Sequence, residues 1–336
     1  MALRHLLTLI VLVVGAAVVY SQTLSAPFVY EDQHVLRMAP ASVWSTLFQP
    51  VPGRGLTVAS LRATASDPAV AHLVNVLLHL QVGVLVAWLA WRLAGPIAMC
   101  GAALVQLWHP LNSQAVWYVT GRSDLQVTLG VLVALLAALS TRWWRWPLLV
   151  GGLWVAAASK EVGIVGVPLV VLTLACWCPS ELRRPWAGAL WIATGAVLGA
   201  SSSSLRNWVA MAPAVGGPDV AWTECVVRQL GLIWSLFAKL VVPRNFSIDH
   251  DALALSSAWL TASVLATMAT SVVAVWSWSR CRIVAWGLAF IAVALLPRLL
   301  IPTNEFIAER QLNLAMVGVS VLAGTALARW LGRRPL

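Results

Sequence analysis

Apolar residues run in long blocks along most of the chain, and the polar residues collect between the blocks. A membrane-spanning helix needs roughly 20 mostly apolar residues, within a range of about 17 to 25. The pattern predicts such helices near 5–20, 68–91, 95–108, 124–140, 146–159, 162–178, 186–204, 257–278, 283–300 and 311–328, with 95–108 and 146–159 short for the purpose. One further block, 223–242, has a different pattern. At about 100° per residue, Glu224, Arg228, Ser235 and Lys239 fall on one stripe of an otherwise apolar helix. Such a helix lies in the membrane interface or re-enters against the protein. A spanning helix with its stripe on a polar cavity is the alternative. The expected fold class is an all-α polytopic membrane protein of about 10 (10–11) transmembrane helices, read as one domain over 1–336.

The polar intervals then set an orientation. Short cytoplasmic loops are enriched in Lys and Arg. Placing the amino terminus in the cytoplasm puts Arg92, Arg142 and Arg145, Arg183 and Arg184, Arg280 and Arg282, and Arg329, Arg333 and Arg334 all on that side. This requires that 223–242 does not cross. The first block, behind Arg4 and His5, is read as a retained signal-anchor helix, with a cleaved signal peptide as the alternative. Of the twelve acidic residues, all but Glu181 then fall on the extracytoplasmic side or at that end of a helix. Carboxylates lie in or beside each outer connection: 21–67, 109–123, 160–161, 205–256 and 301–310. An outward-facing polar site assembled from several loops is expected. The plainer account is that acids avoid arginine-rich loops.

Composition narrows the class. The chain is 60% hydrophobic and 10% charged, against roughly 25% charged in soluble domains. A soluble fold is excluded on that ground. The net charge of +10 would suggest a nucleic-acid partner in a soluble protein. Here loop arginines account for it, and no nucleic acid is expected. Cys100, Cys176, Cys178, Cys225 and Cys281 form no CxxC pair and no Cys/His cluster, so neither a disulfide framework nor a zinc site is predicted. Many of the 20 tryptophans sit at block ends, where an interfacial belt forms.

The candidate chemistry lies in the outer intervals. Glu31 and Asp32, in the long first loop, pair two carboxylates shortly past a helix end, where ionisable groups are costly and often functional. One suits a general base on an acceptor hydroxyl; a solvated turn is the bland alternative. Arg54 on a Gly-flanked turn suits a phosphate, or is a surface arginine. His72, Asn75 and His79 share one helical face, lining a cavity or packing against neighbours. His109 ends the third block. Arg122 and Asp124 are expected to pair at a helix start with Ser123 as cap. Lys160 and Glu161 form a two-charge connection, either a bare turn or a cavity mouth. Glu309 and Arg310 open the last block, as a phosphate clamp or a structural ion pair. No metal site is predicted, and dependence on a divalent ion is left open.

In order along the chain, these clusters resemble a known family. The stretches are Phe28-Val-Tyr-Glu-Asp32, Arg54-Gly-Leu-Thr-Val58, His72-Leu-Val-Asn-Val-Leu-Leu-His79 and His109-Pro110. They continue with Ala115-Val-Trp-Tyr-Val-Thr-Gly-Arg-Ser-Asp-Leu125, Ser159-Lys-Glu-Val-Gly163 and Ala308-Glu-Arg310. The chain resembles the transmembrane O-mannosyltransferases related to those that target cadherins, within the GT-C superfamily of polyprenyl-phosphate-sugar-dependent glycosyltransferases. It departs from them at Glu31, Gly55 and Asn313, where the family has Asp, Pro and, nearby, Tyr. It also lacks the tetratricopeptide repeats that usually follow.

The resemblance implies a GT-C-like bundle with a long first extracytoplasmic loop. It implies transfer of a sugar, mannose in that family, from a polyprenyl-phosphate donor to a hydroxyl of a protein or glycan acceptor, with inversion. By position it makes Asp32 or Glu31 the base. Arg54, Arg122, Lys160 and Arg310 become donor-phosphate ligands, with His72, His109, Asp124, Glu161 and Glu309 supporting. No cofactor is required beyond the lipid-linked donor. The membrane would be a bacterial inner membrane or the endoplasmic reticulum membrane, according to host. The rival expectations are a transporter or lipid flippase, which would show internal repeats and mid-membrane charges, and a non-catalytic GT-C-like membrane protein.

Overall fold

The computed structural model describes residues 3–29, 32, 54–183, 222–246, 255–300 and 308–332, and every regular element among them is helical. Twelve α-helices follow in order: α1 (Leu3–Tyr20), α2 (Gly55–Arg62), α3 (Pro68–Ala94), α4 (Pro96–Trp108), α5 (Ser113–Trp117) and α6 (Arg122–Ala138), then α7 (Arg145–Ser159), α8 (Gly166–Trp177), α9 (Trp222–Ala238), α10 (Ser257–Ser277), α11 (Arg282–Leu300) and α12 (Asn313–Trp330). Short 3-10 turns precede several of them, at Val119–Gly121, Glu161–Val165 and Glu309–Leu312.

Among the described residues, six stretches are long and apolar enough to cross a membrane: Leu3–Ser25, Pro68–Ala94, Val119–Ala138, Ser257–Ser277, Arg282–Leu300 and Glu309–Trp330. On that ground the chain is a membrane protein. Fewer helices meet the length criterion than the apolar pattern predicts. Predicted blocks 95–108, 146–159 and 162–178 correspond to α4, α7 and α8, of 13, 15 and 12 residues. Block 186–204 and Glu31 lie outside the described residues.

Local chemistry sets several boundaries. Asp67 caps α3, its Oδ1 accepting from the Ala69 amide at 2.8 Å, with Pro68 in the first turn, where no N–H is needed. That carboxylate is therefore spent on a helix start. Gly95, at φ 89°, makes the sharp turn between α3 and α4 in a region that side chains avoid. The expected Ser123 cap does not form. Gly121 holds the cap position of α6, and the Ser123 hydroxyl donates back to the Thr120 carbonyl.

Helix α6 is the central post, with 89% of its apolar window buried. It packs most extensively on α7, and α4 packs between α3 and α12. The α6–α7 seam is backbone on backbone. A Cβ on Gly130 would sit 2.5 Å from the Gly152 carbonyl oxygen, and one on Gly152 the same distance from that of Gly130. Small residues allow such contact without relying on a hydrophobic driving force. At the opposite extreme, α10 has 6% of its window buried and presents Leu265, Met268, Val272 and Val275 outward.

The bundle has two chemically distinct ends. At the basic end, Arg92 donates to the Leu139 carbonyl at 2.9 Å, Arg145 pairs with Glu181 at 3.1 Å, and Arg282 donates to the Cys176 carbonyl at 3.4 Å. At the polar end lie Asp32, α2, the 109–121 connection, Lys160 with Glu161, the end of α9, and 308–312.

Candidate functional site

Helix α2 brings the first loop onto the polar end. The Thr57 hydroxyl lies 2.7 Å from Gln126 Oε1 of α6 and 2.8 Å from the Ser159 carbonyl oxygen at the end of α7. Arg54, just before α2, donates from Nε to Glu161 Oε1 at 3.0 Å and from Nη2 to Oε2 at 3.3 Å. Three segments far apart in sequence are thus fixed to one another.

Asn75 is the hub of the next layer. Its Nδ2 donates to the Tyr118 carbonyl at 3.0 Å, with those of Val119, Val116 and Ala115 at 3.3 to 3.5 Å. Its Oδ1 accepts from Arg122 Nε at 2.9 Å. Arg122 is fully buried and donates further to the Ser60 carbonyl at 2.6 Å, Thr64 Oγ1 at 3.1 Å and the Ala71 carbonyl at 2.8 Å. A guanidinium has five N–H groups, and these four bonds leave one. Arg122 therefore binds α2, α3 and α6 together. The expected pairing with Asp124 is replaced by this clip, because both groups have better-placed partners on other elements.

Asp32 sits beside this hub, 1% exposed. Its Oδ1 accepts from the Thr120 amide at 2.9 Å and its Oδ2 from the Val119 amide at 3.2 Å. Those amides open the 3-10 turn leading into α6, where backbone N–H groups have no helical partner. Burial pushes the Asp32 carboxyl above the usual carboxylate range, opposed by the two amides. Fully buried His72 and Arg122 lie within its electrostatic reach. Each oxygen retains a second lone pair.

Lys160 and Glu161 turn in different directions. Lys160 Nζ is buried and bonds both oxygens of Asp124, at 2.7 and 2.8 Å, while Glu161 holds Arg54. The connection is a charged junction. Burial lowers the Lys160 ammonium to about 8, against the pull of Asp124; Arg298, Arg54 and Arg310 add to the lowering. Arg298 lies in turn within reach of Asp124, Arg54, Glu161 and Arg310. Arg54, Lys160, Arg298 and Arg310 thus gather around Asp124 and Glu161, within electrostatic reach of Lys160 and Arg298. A partly desolvated cluster of four cationic side chains suits an anion.

Arg298 was not among the residues singled out by the sequence, although it carried a signal. It is a cation buried inside the apolar run of α11, directly after Pro297. Charges in such places are seldom idle.

The remaining candidates frame the group. Arg310 stacks its guanidinium over Tyr118 at 4.9 Å, and its backbone amide donates to Gln114 Oε1 at 2.7 Å. Glu309 accepts from Lys239 at 2.7 Å. Lys239 lies just past the end of α9 and also donates to the carbonyl of Asn245, whose φ of 56° turns the chain back over it. His109 accepts at Nδ1 from the Leu111 amide and contacts the Leu240 carbonyl through Nε2, which makes it a brace between α4 and the end of α9. Burial lowers its basicity. His79 lies deeper, against the Leu107 carbonyl and edge-on to Tyr20.

Arg54, Lys160 and Arg310 are thus brought together with Arg298, while Asp32 and Arg122 form an adjacent layer joined to them through α6. Among the described residues, no group of three or more His, Cys, Asp or Glu is arranged to hold a metal ion. No family model matches the chain, and no curated protein or solved structure matches it either.

Proposed function

We propose that the chain is a membrane glycosyltransferase with a GT-C-like architecture. It moves a sugar, mannose by the family resemblance, from a polyprenyl-phosphate donor to a hydroxyl on the extracytoplasmic face, with inversion. The observation that carries this reading is the gathering of Arg54, Lys160, Arg298 and Arg310 from four separate segments, beside a buried Asp32 held on backbone amides. The lipid phosphate occupies the cationic cluster. Asp32, or Glu31 next to it, takes the proton of the acceptor hydroxyl. The acceptor oxygen attacks the anomeric carbon as the bond from that carbon to the phosphate oxygen breaks. The leaving lipid phosphate keeps the electron pair and gains a negative charge, which the preplaced cations stabilise. A raised Asp32 carboxyl suits the proton transfer better than an ordinary one.

The same reading assigns the finer topology of about ten crossings, with the basic end in the cytoplasm. In it α9 lies along the outer interface. Two contacts support that placement: Gly231 near its middle packs on Leu255, Trp259 and Leu260 at the start of α10, and Lys239 past its end reaches Glu309. Both contacts are with the outer ends of their partner elements.

A second reading has an observation of its own. The near-complete burial of Asp32 shields its carboxylate from an acceptor hydroxyl, which suits a non-catalytic GT-C-like protein that binds the lipid donor at the cationic cluster without chemistry. Incubating membranes containing the protein with a labelled polyprenyl-phosphate sugar separates the two. Labelled product that disappears in Asp32→Asn supports transfer. Donor binding with no product in the unaltered protein overturns it.

A further inference from the structure

The polar end does not account for the opposite end of the molecule, where α10 turns into α11. A groove of about 430 Å³ opens there, lined by Ala274, Val275 and Trp278 from α10 and its end and by Ala285 and Ala289 from α11. Its lining is almost wholly apolar, and α10 around it is outward-facing.

Three exposed guanidinium groups surround the turn that closes the groove. Arg280 stacks on Trp276 at 4.5 Å and donates to the Trp276 carbonyl at 3.3 Å. Arg282 donates from Nη1 to the Cys176 carbonyl at 3.4 Å. Arg329, at the end of α12, contacts Cys281 Sγ at 2.9 Å. Among the described residues, the partners of these three cations are neutral: a ring, a carbonyl or a thiol. The carboxylate described at this end, Glu181, is engaged by Arg145. The polar end, by contrast, interleaves its cations with acids. Here a positive charge excess borders an apolar slot, at the level of the exposed Trp276, Trp278 and Trp330.

We infer that this groove is a binding site for an anionic phospholipid of the leaflet at the basic end, with an acyl chain between α10 and α11 and its phosphate on Arg280, Arg282 and Arg329. Basic pockets between membrane helices favour anionic headgroups on this pattern, and a guanidinium presents forked donors to a phosphate. The site is independent of any sugar transfer and lies at the far end of the bundle from the cationic cluster.

The test is lipid competition on the full chain in phosphatidylcholine nanodiscs, with phosphatidylglycerol added and retained lipid read by native mass spectrometry. The unaltered protein retains phosphatidylglycerol preferentially. Arg280→Gln with Arg282→Gln lowers that preference by roughly fivefold per arginine removed. Ala289→Phe fills the slot with all arginines in place and lowers retention of phosphatidylglycerol on its own. Arg142→Gln removes an exposed cation on the turn between α6 and α7, outside the groove's lining, and leaves the preference unchanged. Equal retention of both lipids by the unaltered protein overturns the site. So does full retention in Ala289→Phe, or a loss in Arg142→Gln matching the double variant, which would mean a diffuse surface field.

Discussion

The two ends of the bundle use the same side chain in opposite ways. At the basic end most of the described arginines are exposed and cap single carbonyls, as Arg92 does for Leu139 and Arg282 for Cys176, while Arg145 is half-buried against Glu181. At the polar end they are interlocked. Arg122 makes four hydrogen bonds in full burial and Lys160 takes both oxygens of Asp124, while the exposed Arg54 takes Glu161 through two nitrogens at the rim. An exposed ion pair contributes at most about 1 kcal/mol. A buried one costs several kcal/mol when a single partner is removed. Charge at the basic end is thus a matter of orientation and surface field, whereas at the polar end it is part of the packing.

The strongest way to break this contrast is at Asp32. Asp32→Asn is expected to lower transfer by roughly 100-fold or more while membrane insertion, followed by protease protection, is unchanged. Full activity in both Asp32→Asn and Glu31→Gln would remove the base assignment. Next comes Lys160→Met, which strands the buried Asp124 carboxylate and should cost about 3–5 kcal/mol. The sharper form is a pair of variants: adding Asp124→Leu should restore thermal stability without restoring transfer. Recovery of both would make the pair purely structural.

Arg298→Gln removes one cation from the cluster and is expected to reduce transfer about tenfold or more, the equivalent of a charged hydrogen bond at about 1.5–3 kcal/mol. Wild-type rates in that variant would take Arg298 out of the site. The pH profile tests the same cluster more gently. On the proposed reading Lys160 acts on the phosphate as a cation, and burial lowers it to about 8. Transfer should therefore decline as the pH rises through about 8. The acid limb, set by the raised Asp32 carboxyl, should lie above that of an ordinary aspartate. A flat rate across pH 7 to pH 9, each about one unit from that midpoint, would contradict the Lys160 role. The smallest effect belongs to the basic end. Arg92→Gln should change stability by no more than about 0.5 kcal/mol and leave transfer untouched.

Much of the fold is legible in the apolar pattern, because each long helix here is one block read along the chain; the short α2 and α5 fall in stretches read as connections. The reading 68–91 became Pro68–Ala94, 257–278 became Ser257–Ser277, and 283–300 became Arg282–Leu300. The blocks did not disclose how many helices are long enough to cross, since α4, α7 and α8 are apolar but short. The candidate site is legible as a set of residues and not as a set of partners. Lys160 and Asp124 stand on different helices, and the short-range alternative, Arg122 with Asp124, is what spacing alone favours. Asn75 was visible only as a polar residue on a helical face. Its grip on the 115–119 carbonyls depends on where α5 comes to rest. Arg298 was hidden because hydropathy averages over a run and passes a lone charge silently.

The glycine seam between α6 and α7 has a mechanical consequence. Gly130 lies about 9 Å along α6 from Asp124, and Gly152 about 12 Å along α7 from Lys160, at 1.5 Å per residue. Two helices touching backbone to backbone at that height act as one rail. Membranes differ in thickness, and helices answer by tilting. Tilt applied to α6 carries α7 with it, so the ammonium and the carboxylate keep their spacing while the rail leans. The buried cation of the cluster is thereby insulated from the bilayer it stands in.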